Sequence, residues 1–139
     1  MALTDKQIRE EEEFLKGIPR FNIAAFLLPP IWGPVHGFWV TLLFYPLWLF
    51  VDNMLYAVYT NPAPVTVILA VVVILALAAG TIAFSVVSQP LAYHRAAAKG
   101  VSKEQYLKRQ RIWAVVCAII GIAMLAFASY YNLEIRTEL

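Results

Sequence analysis

Side chains able to do acid–base, nucleophilic or metal chemistry are few in this chain, and they are scattered. The two histidines, His36 and His94, fall in different segments. A metal or haem site takes several ligands, each steadied by further hydrogen bonds, and two isolated imidazoles do not specify one. His36 reads as an interfacial side chain bonded to backbone or a lipid headgroup, and His94 as part of a basic surface. Cys117 is the single cysteine, which excludes an internal disulfide and a zinc cluster. It lies among small residues in an apolar stretch, where a thiol is inert, and reads as a packing residue. Glu10 to Glu13 form an acidic run, ordinarily a solvated helix face, with a docking surface for a basic partner as the sharper reading. No nucleophile–base pair, phosphate-cradling glycine loop or carboxylate pair is visible. The expectation is a chain that is not an enzyme, with no catalytic, cofactor-binding or metal-ligating residues and no cofactor.

The composition points to a different solvent. Of the 139 residues, 61% are hydrophobic and 14% charged, against about a quarter charged in a typical soluble domain. A chain this short has too much surface for its volume to hide that much apolar area from water, whereas a bilayer removes the difficulty. The net charge of +2 is too small to suggest nucleic acid as a partner. The first 20 residues are acidic and polar and do not resemble a secretory signal peptide.

One all-α membrane domain over 1–139 is therefore expected: three transmembrane helices, preceded by an N-terminal amphipathic helix and an interfacial or re-entrant segment. Residues 1–20 read as the amphipathic helix, with Thr4 and Gln7 at capping-box spacing, Leu3 and Ile8 as a hydrophobic staple, and Gly17 and Pro19 at its end. Residues 21–51 carry no formal charge. As one helix they would be about 46 Å long, more than a hydrocarbon core of about 30 Å. Pro29, Pro30 and Pro34 divide the stretch, since each lacks an N–H donor and disfavours helix in the residue before it. Residues 21–34 become the interfacial segment and 35–59 the first span, reaching at least Asn53 and kinked at Pro46. Assigning Asp52 and Asn53 to a short connection over 52–64, and Arg111 to the basic stretch before Ile112, leaves the apolar interior of all three spans without Asp, Glu, Lys or Arg. That argues against a pump, proton channel or charged-substrate carrier made by this chain alone. The second span, 65–89, is uninterrupted until Pro90 bends or ends it. A basic loop with helical pieces follows over 90–110: Leu91 to Lys99 read as helical, closed by Gly100, and Ser102 and Gln105 repeat the capping-box spacing. A helix from near Lys103 would run into the third span, 111–131, leaving a polar tail over 132–139.

Charge placement gives a direction. Four basic residues lie in the first 20 (Lys6, Arg9, Lys16, Arg20) and six in 90–111 (Arg95, Lys99, Lys103, Lys108, Arg109, Arg111). The 52–64 connection holds none, and the tail only Arg136. Basic residues near short loops stay cytoplasmic, so the N-terminus and the basic loop are expected inside and the C-terminus outside. Aromatic residues agree: Trp32, Trp39, Tyr93 and Trp113 fall near predicted inner ends, and Tyr56, Tyr59, Tyr130 and Tyr131 near outer ends. The six basic residues of the loop are expected to contact anionic headgroups, at about 1 kcal/mol each near the surface, or a partner. Small residues at four-residue spacing let helices approach closely in lipid. Ala76, Ala79, Gly80 and Ala83 of the second span and Ala114, Ala118 and Gly121 of the third are expected to meet.

Phe21-Asn22-Ile23-Ala24-Ala25-Phe26, followed by Pro30, Trp32, Gly37 and Trp39, resembles the motif of a family of small bacterial inner-membrane proteins defined as a domain of unknown function. The resemblance covers residues 20–60, and the later spans in pattern. Ile23 stands where family members often carry a second Trp, and His36 where they often carry a basic residue. The resemblance implies a bacterial inner (cytoplasmic) membrane and no reaction. Physically, Asn22 would satisfy backbone groups freed at Pro29 and Pro30, and Trp32 would hold that break at headgroup depth, with Phe26 and Pro30 completing an interfacial wedge.

These readings favour a non-enzymatic accessory or scaffold subunit of a larger membrane complex, its partners being membrane lipids and other membrane-protein subunits. The alternative is a homo-oligomeric channel or carrier for a neutral or lipid-like molecule.

Overall fold

The computed structural model describes residues 2–139, and among them every regular element is helical. Helix α1, Asp5–Phe14, begins at Thr4, whose hydroxyl accepts the Gln7 N–H while the Gln7 side chain accepts the Thr4 N–H. It ends short of Gly17, where the chain turns at φ +87°. Two short helices follow, α2 (Ile23–Leu27) and α3 (Pro29–Val35), the second opening on Pro29. Proline fits that position because its fixed φ suits a first turn and its missing N–H is not needed there.

Gly37, at φ +86°, then reverses the chain into a 3-10 segment, Trp39–Leu43, and helix α4, Phe44–Thr60. Pro46 therefore falls in the first turn of α4. The expected mid-span kink is replaced by a change of helix type just before it. Thr41 Oγ1 donates to the Phe38 carbonyl at 2.7 Å in the same stretch.

Helix α5 runs from Pro64 to Ala98, 35 residues, and continues through Pro90 rather than ending there. At about 1.5 Å per residue it is about 52 Å long, so it outreaches a hydrocarbon core of about 30 Å. The helical piece expected over Leu91–Lys99 is the last part of α5 rather than a separate helix in a loop. Only the turn around Gly100 (φ +82°) separates α5 from α6, Lys103–Tyr130. Ser102 and Gln105 cap α6 reciprocally, as their spacing predicts. Residues beyond α6 are not a free tail: Tyr131–Ile135 form a π turn and Arg136–Glu138 a 3-10 turn.

Three helical stretches are long and apolar enough to cross a membrane: Trp39–Thr60, Pro64–Ala98 and Lys103–Glu138. Their most apolar windows bury only 6%, 11% and 6% of their residues inside the protein. So much apolar surface left uncovered fits a multi-pass membrane protein whose outer solvent is lipid.

The core lies at one end of the bundle, the end bearing Arg95, Lys99 and Lys103, rather than midway along it. Ala24, Ala25, Leu28 and Trp32 pack there with Ala92, Tyr93, Tyr106 and Cys117, all buried. The α2–α3 segment is a plug seated on α5 and α6. Trp32 is fully buried in it rather than standing at a headgroup surface. Helix α1 closes the basic end from outside. Phe14 stacks on the His94 ring at 4.5 Å between centroids, His94 Nε2 meets Glu11 Oε1 at 2.6 Å, and Lys103 Nζ donates to the Lys16 carbonyl at 2.6 Å.

The expected close contact between small-residue faces does not form. Ala76, Ala79, Gly80 and Ala83 are exposed, and a Cβ placed on Gly80 or Gly121 would meet nothing within 4 Å. The positions that α5 buries are instead Ala70, Thr81, Ser85, Ser88, Gln89, Ala92 and Tyr93. On that face Gln89 bonds Asn22 and Tyr106, while the Thr81 and Ser85 hydroxyls donate to the Leu77 and Thr81 carbonyls of their own helix. Ala114, Ala118 and Gly121 of α6 are half-buried.

Candidate functional site

Asn22, Trp32 and His36, Gln89 of α5, and Tyr106 and Gln110 of α6 converge on one hydrogen-bonded cluster. Asn22 precedes α2, and its Oδ1 accepts the Ala25 N–H at 2.9 Å, a helix cap. This corrects the expectation that Asn22 serves the backbone at Pro29 and Pro30. Its Nδ2 donates to Gln89 Oε1 at 2.7 Å and to Gln110 Oε1 at 3.0 Å. The same Gln89 oxygen accepts the Tyr106 hydroxyl at 2.6 Å, and the same Gln110 oxygen accepts Trp32 Nε1–H at 2.9 Å. One asparagine thus ties the plug to both long helices.

Two N–H groups pointing at Gln110 Oε1 fix the orientation of that amide. Its Nε2 must then donate, and it meets His36 Nε2 at 3.1 Å. His36 Nε2 therefore carries the lone pair, and the ring proton lies on Nδ1, which donates to the Trp32 carbonyl at 2.7 Å. A neutral imidazole has one donor and one acceptor nitrogen, and both are used. The ring stacks on Trp32 at 4.0 Å between centroids and meets the edge of Trp113. Burial pushes the His36 imidazole below its ordinary range, opposed in part by the bond to the Trp32 carbonyl. Arg95 adds a nearby cation: its Nη1 donates to the His36 carbonyl at 2.7 Å and its guanidinium lies 4.3 Å from the Phe38 ring centre.

The donors and acceptors of this cluster are turned on one another, an arrangement that fastens segments together. Ser88 Oγ is the buried side-chain polar atom without a partner among the described residues. No group of three or more His, Cys, Asp or Glu side chains comes together in a way that could hold a metal ion among those residues.

A second polar constellation lies at the far end. Helix α4 carries Asp52 and Asn53 inside it, not in a connection, so the first span does contain a carboxylate. Asn132 Nδ2 donates to Asp52 Oδ1 at 2.6 Å, and Arg136 Nη2 donates to Asn53 Oδ1 at 2.6 Å. The Arg136 guanidinium lies 3.9 Å from the Asp52 carboxylate and 3.8 Å from the centre of the Tyr56 ring. Arg136→Ala should lower stability by about 1 kcal/mol, the sum of a partly screened ion pair and one cation–π contact. Asp52→Asn, which keeps an acceptor for Asn132, should cost less. Unfolding in mixed micelles ranks the two, and the reverse order would mean that the pair does not hold α4 to the end of α6.

Of the expected site residues, Asn22, Pro30 and Trp32 are buried in the plug, while Phe26 is exposed and tilts against Phe21. Arg95 and Lys103 are engaged with the His36 and Lys16 carbonyls, and Lys99, Lys108, Arg109 and Arg111 stand exposed. Sequence reasoning missed Gln89, Tyr106 and Gln110. A signal for α5 was present: Thr81, Ser85, Ser88 and Gln89 recur at helical spacing within an otherwise apolar run.

No family model matches the chain, and no curated protein or solved structure matches it.

An apolar groove of about 300 Å³ runs between α4 and α5, lined by Phe44, Leu47, Phe50, Val51, Val73 and Gly80 among others.

Proposed function

We propose that the chain is a non-enzymatic accessory or scaffold subunit of a larger membrane assembly. The observation that carries this reading is the division of its surfaces. Nearly all buried polar side chains are hydrogen-bonded within the protein, while the long helices keep extensive apolar faces exposed, with Ala79 and Ala83 of α5 uncovered and Ala76 and Gly80 on the open groove beside α4. Small residues on an open helix face allow another helix to approach closely. The basic side chains Lys99, Lys108, Arg109 and Arg111 would lie on the cytoplasmic side against anionic headgroups, together with the N-terminus, with the C-terminus outside. A bacterial inner membrane belongs to the same proposal and rests on the resemblance over residues 20–60 alone.

The test is purification in mild detergent at native expression. Stoichiometric membrane-protein partners are expected, and a clean monomer without them overturns the reading. The groove between α4 and α5 favours, as a second reading, a homo-oligomeric carrier for a lipid-like molecule. That reading requires a homo-oligomer and flux in liposomes.

A further inference from the structure

The hydrogen-bond roles around His36 leave it no room for a second proton. Gln110 cannot turn its amide over, because its oxygen already receives Trp32 Nε1–H and Asn22 Nδ2–H. A proton on His36 Nε2 would therefore face the N–H of Gln110 Nε2 at the present 3.1 Å. Two donors cannot share that contact. The groups that face the ring offer no relief. From α5 the charged neighbour is the Arg95 guanidinium on the His36 carbonyl, from α6 the ring meets Gln110 and Trp113, and from α3 it meets Trp32. None of these is a carboxylate that could accept the proton's charge.

We propose that His36 is a proton-sensitive latch that holds residues 21–38 on α5 and α6 while neutral and releases them when protonated. On protonation the imidazole swings off Gln110, losing the stack on Trp32 and loosening the bonds that Asn22 and Trp32 make to the same glutamine. The segment then lifts from the basic end of the bundle. The reading does not depend on what the protein binds, and it gives this end of the molecule a response to acidification of the compartment it faces.

The sign follows from the direction of the shift. The folded state holds His36 below its ordinary range, so the released state binds more protons. The latch is complete above the ordinary histidine pKa of about 6.5 and opens as pH falls below it. The opened fraction can rise by at most about tenfold per pH unit, the limit for release coupled to one proton.

The test is hydrogen exchange of the full chain in detergent or nanodiscs at about pH 7.5 and about pH 5, corrected for the intrinsic pH dependence of exchange. Backbone amides of residues 21–38 in the unaltered protein should lose about tenfold or more of their protection at the lower pH, with the middle of α5 unchanged. His36→Asn, which keeps a donor at the Nδ1 position for the Trp32 carbonyl and does not titrate, should abolish the pH response. Gln110→Glu places an acceptor opposite His36 Nε2 and should shift opening to lower pH. Equal protection of residues 21–38 at both pH values in the unaltered protein overturns the proposal. So does an unchanged pH response in either variant. If His36→Asn does not fold, the unaltered protein and Gln110→Glu decide.

Discussion

Gln110→Leu should lower the stability of the folded protein by about 3 kcal/mol. The leucine fills nearly the same space but leaves three polar groups without their partner: one N–H of Asn22, Nε1–H of Trp32 and the lone pair of His36. Each orphaned buried group costs roughly 1–3 kcal/mol, and the lower figure applies where a neighbour can adjust. Asn22 retains Gln89, which favours that lower figure. Denaturation in mixed micelles, followed by circular dichroism, measures the loss. A cost below about 1 kcal/mol would mean that apolar packing of Ala24, Ala25 and Leu28 alone seats the plug.

Gly33→Ala should be comparably damaging, for a steric reason. Gly33 is buried in α3 directly beneath the 3-10 segment. A Cβ there would overlap Thr41 Oγ1 and lie 2.7 Å from Thr41 Cγ2 and 2.8 Å from Thr41 Cβ. Neither side can give easily. Thr41 is itself buried, with its hydroxyl committed to the Phe38 carbonyl, and Phe38 N–H donates back to the Gly33 carbonyl at 2.7 Å. Forcing extra atoms into such a contact costs roughly 1–3 kcal/mol and sometimes more. Because the three nearest obstructing atoms all belong to the Thr41 side chain, the same substitution in a Thr41→Gly background should cost less than about 1 kcal/mol. An equal cost in both backgrounds would show that the contact is not what limits the site.

Both substitutions act on the joint between the plug and the bundle, the part of the fold least readable in advance. Gly33 lies in a Pro-rich stretch where glycine needs no special explanation, and Gln110 looks like an ordinary polar residue at the edge of a span. Their importance comes from partners 8 to 88 positions away in sequence. Pattern reasoning is local, and it sees neither partner.

What the sequence determined alone is set by short-range physics. Hydropathy and length placed three apolar helices, because an apolar run in a helix must be long enough to satisfy a hydrocarbon layer. Thr4 with Gln7 and Ser102 with Gln105 placed helix starts, since a cap is made within one turn. Gly17 and Gly100 marked helix ends, where a positive φ suits glycine. The tertiary structure alone decided the rest. Pro90 sits inside α5 because flanking turns continue the helix past one missing donor. Asp52 sits inside α4 because Arg136 and Asn132 fold back to receive it. Asn22, rather than serving its own proline break, bridges α5 and α6 because a buried amide must satisfy both N–H groups and finds Gln89 and Gln110 there. The alanine and glycine stripe of α5 stays uncovered because the plug and α6 take another face, where Asn22 bonds the Ser85 carbonyl and Gln89, and Tyr106 bonds Gln89.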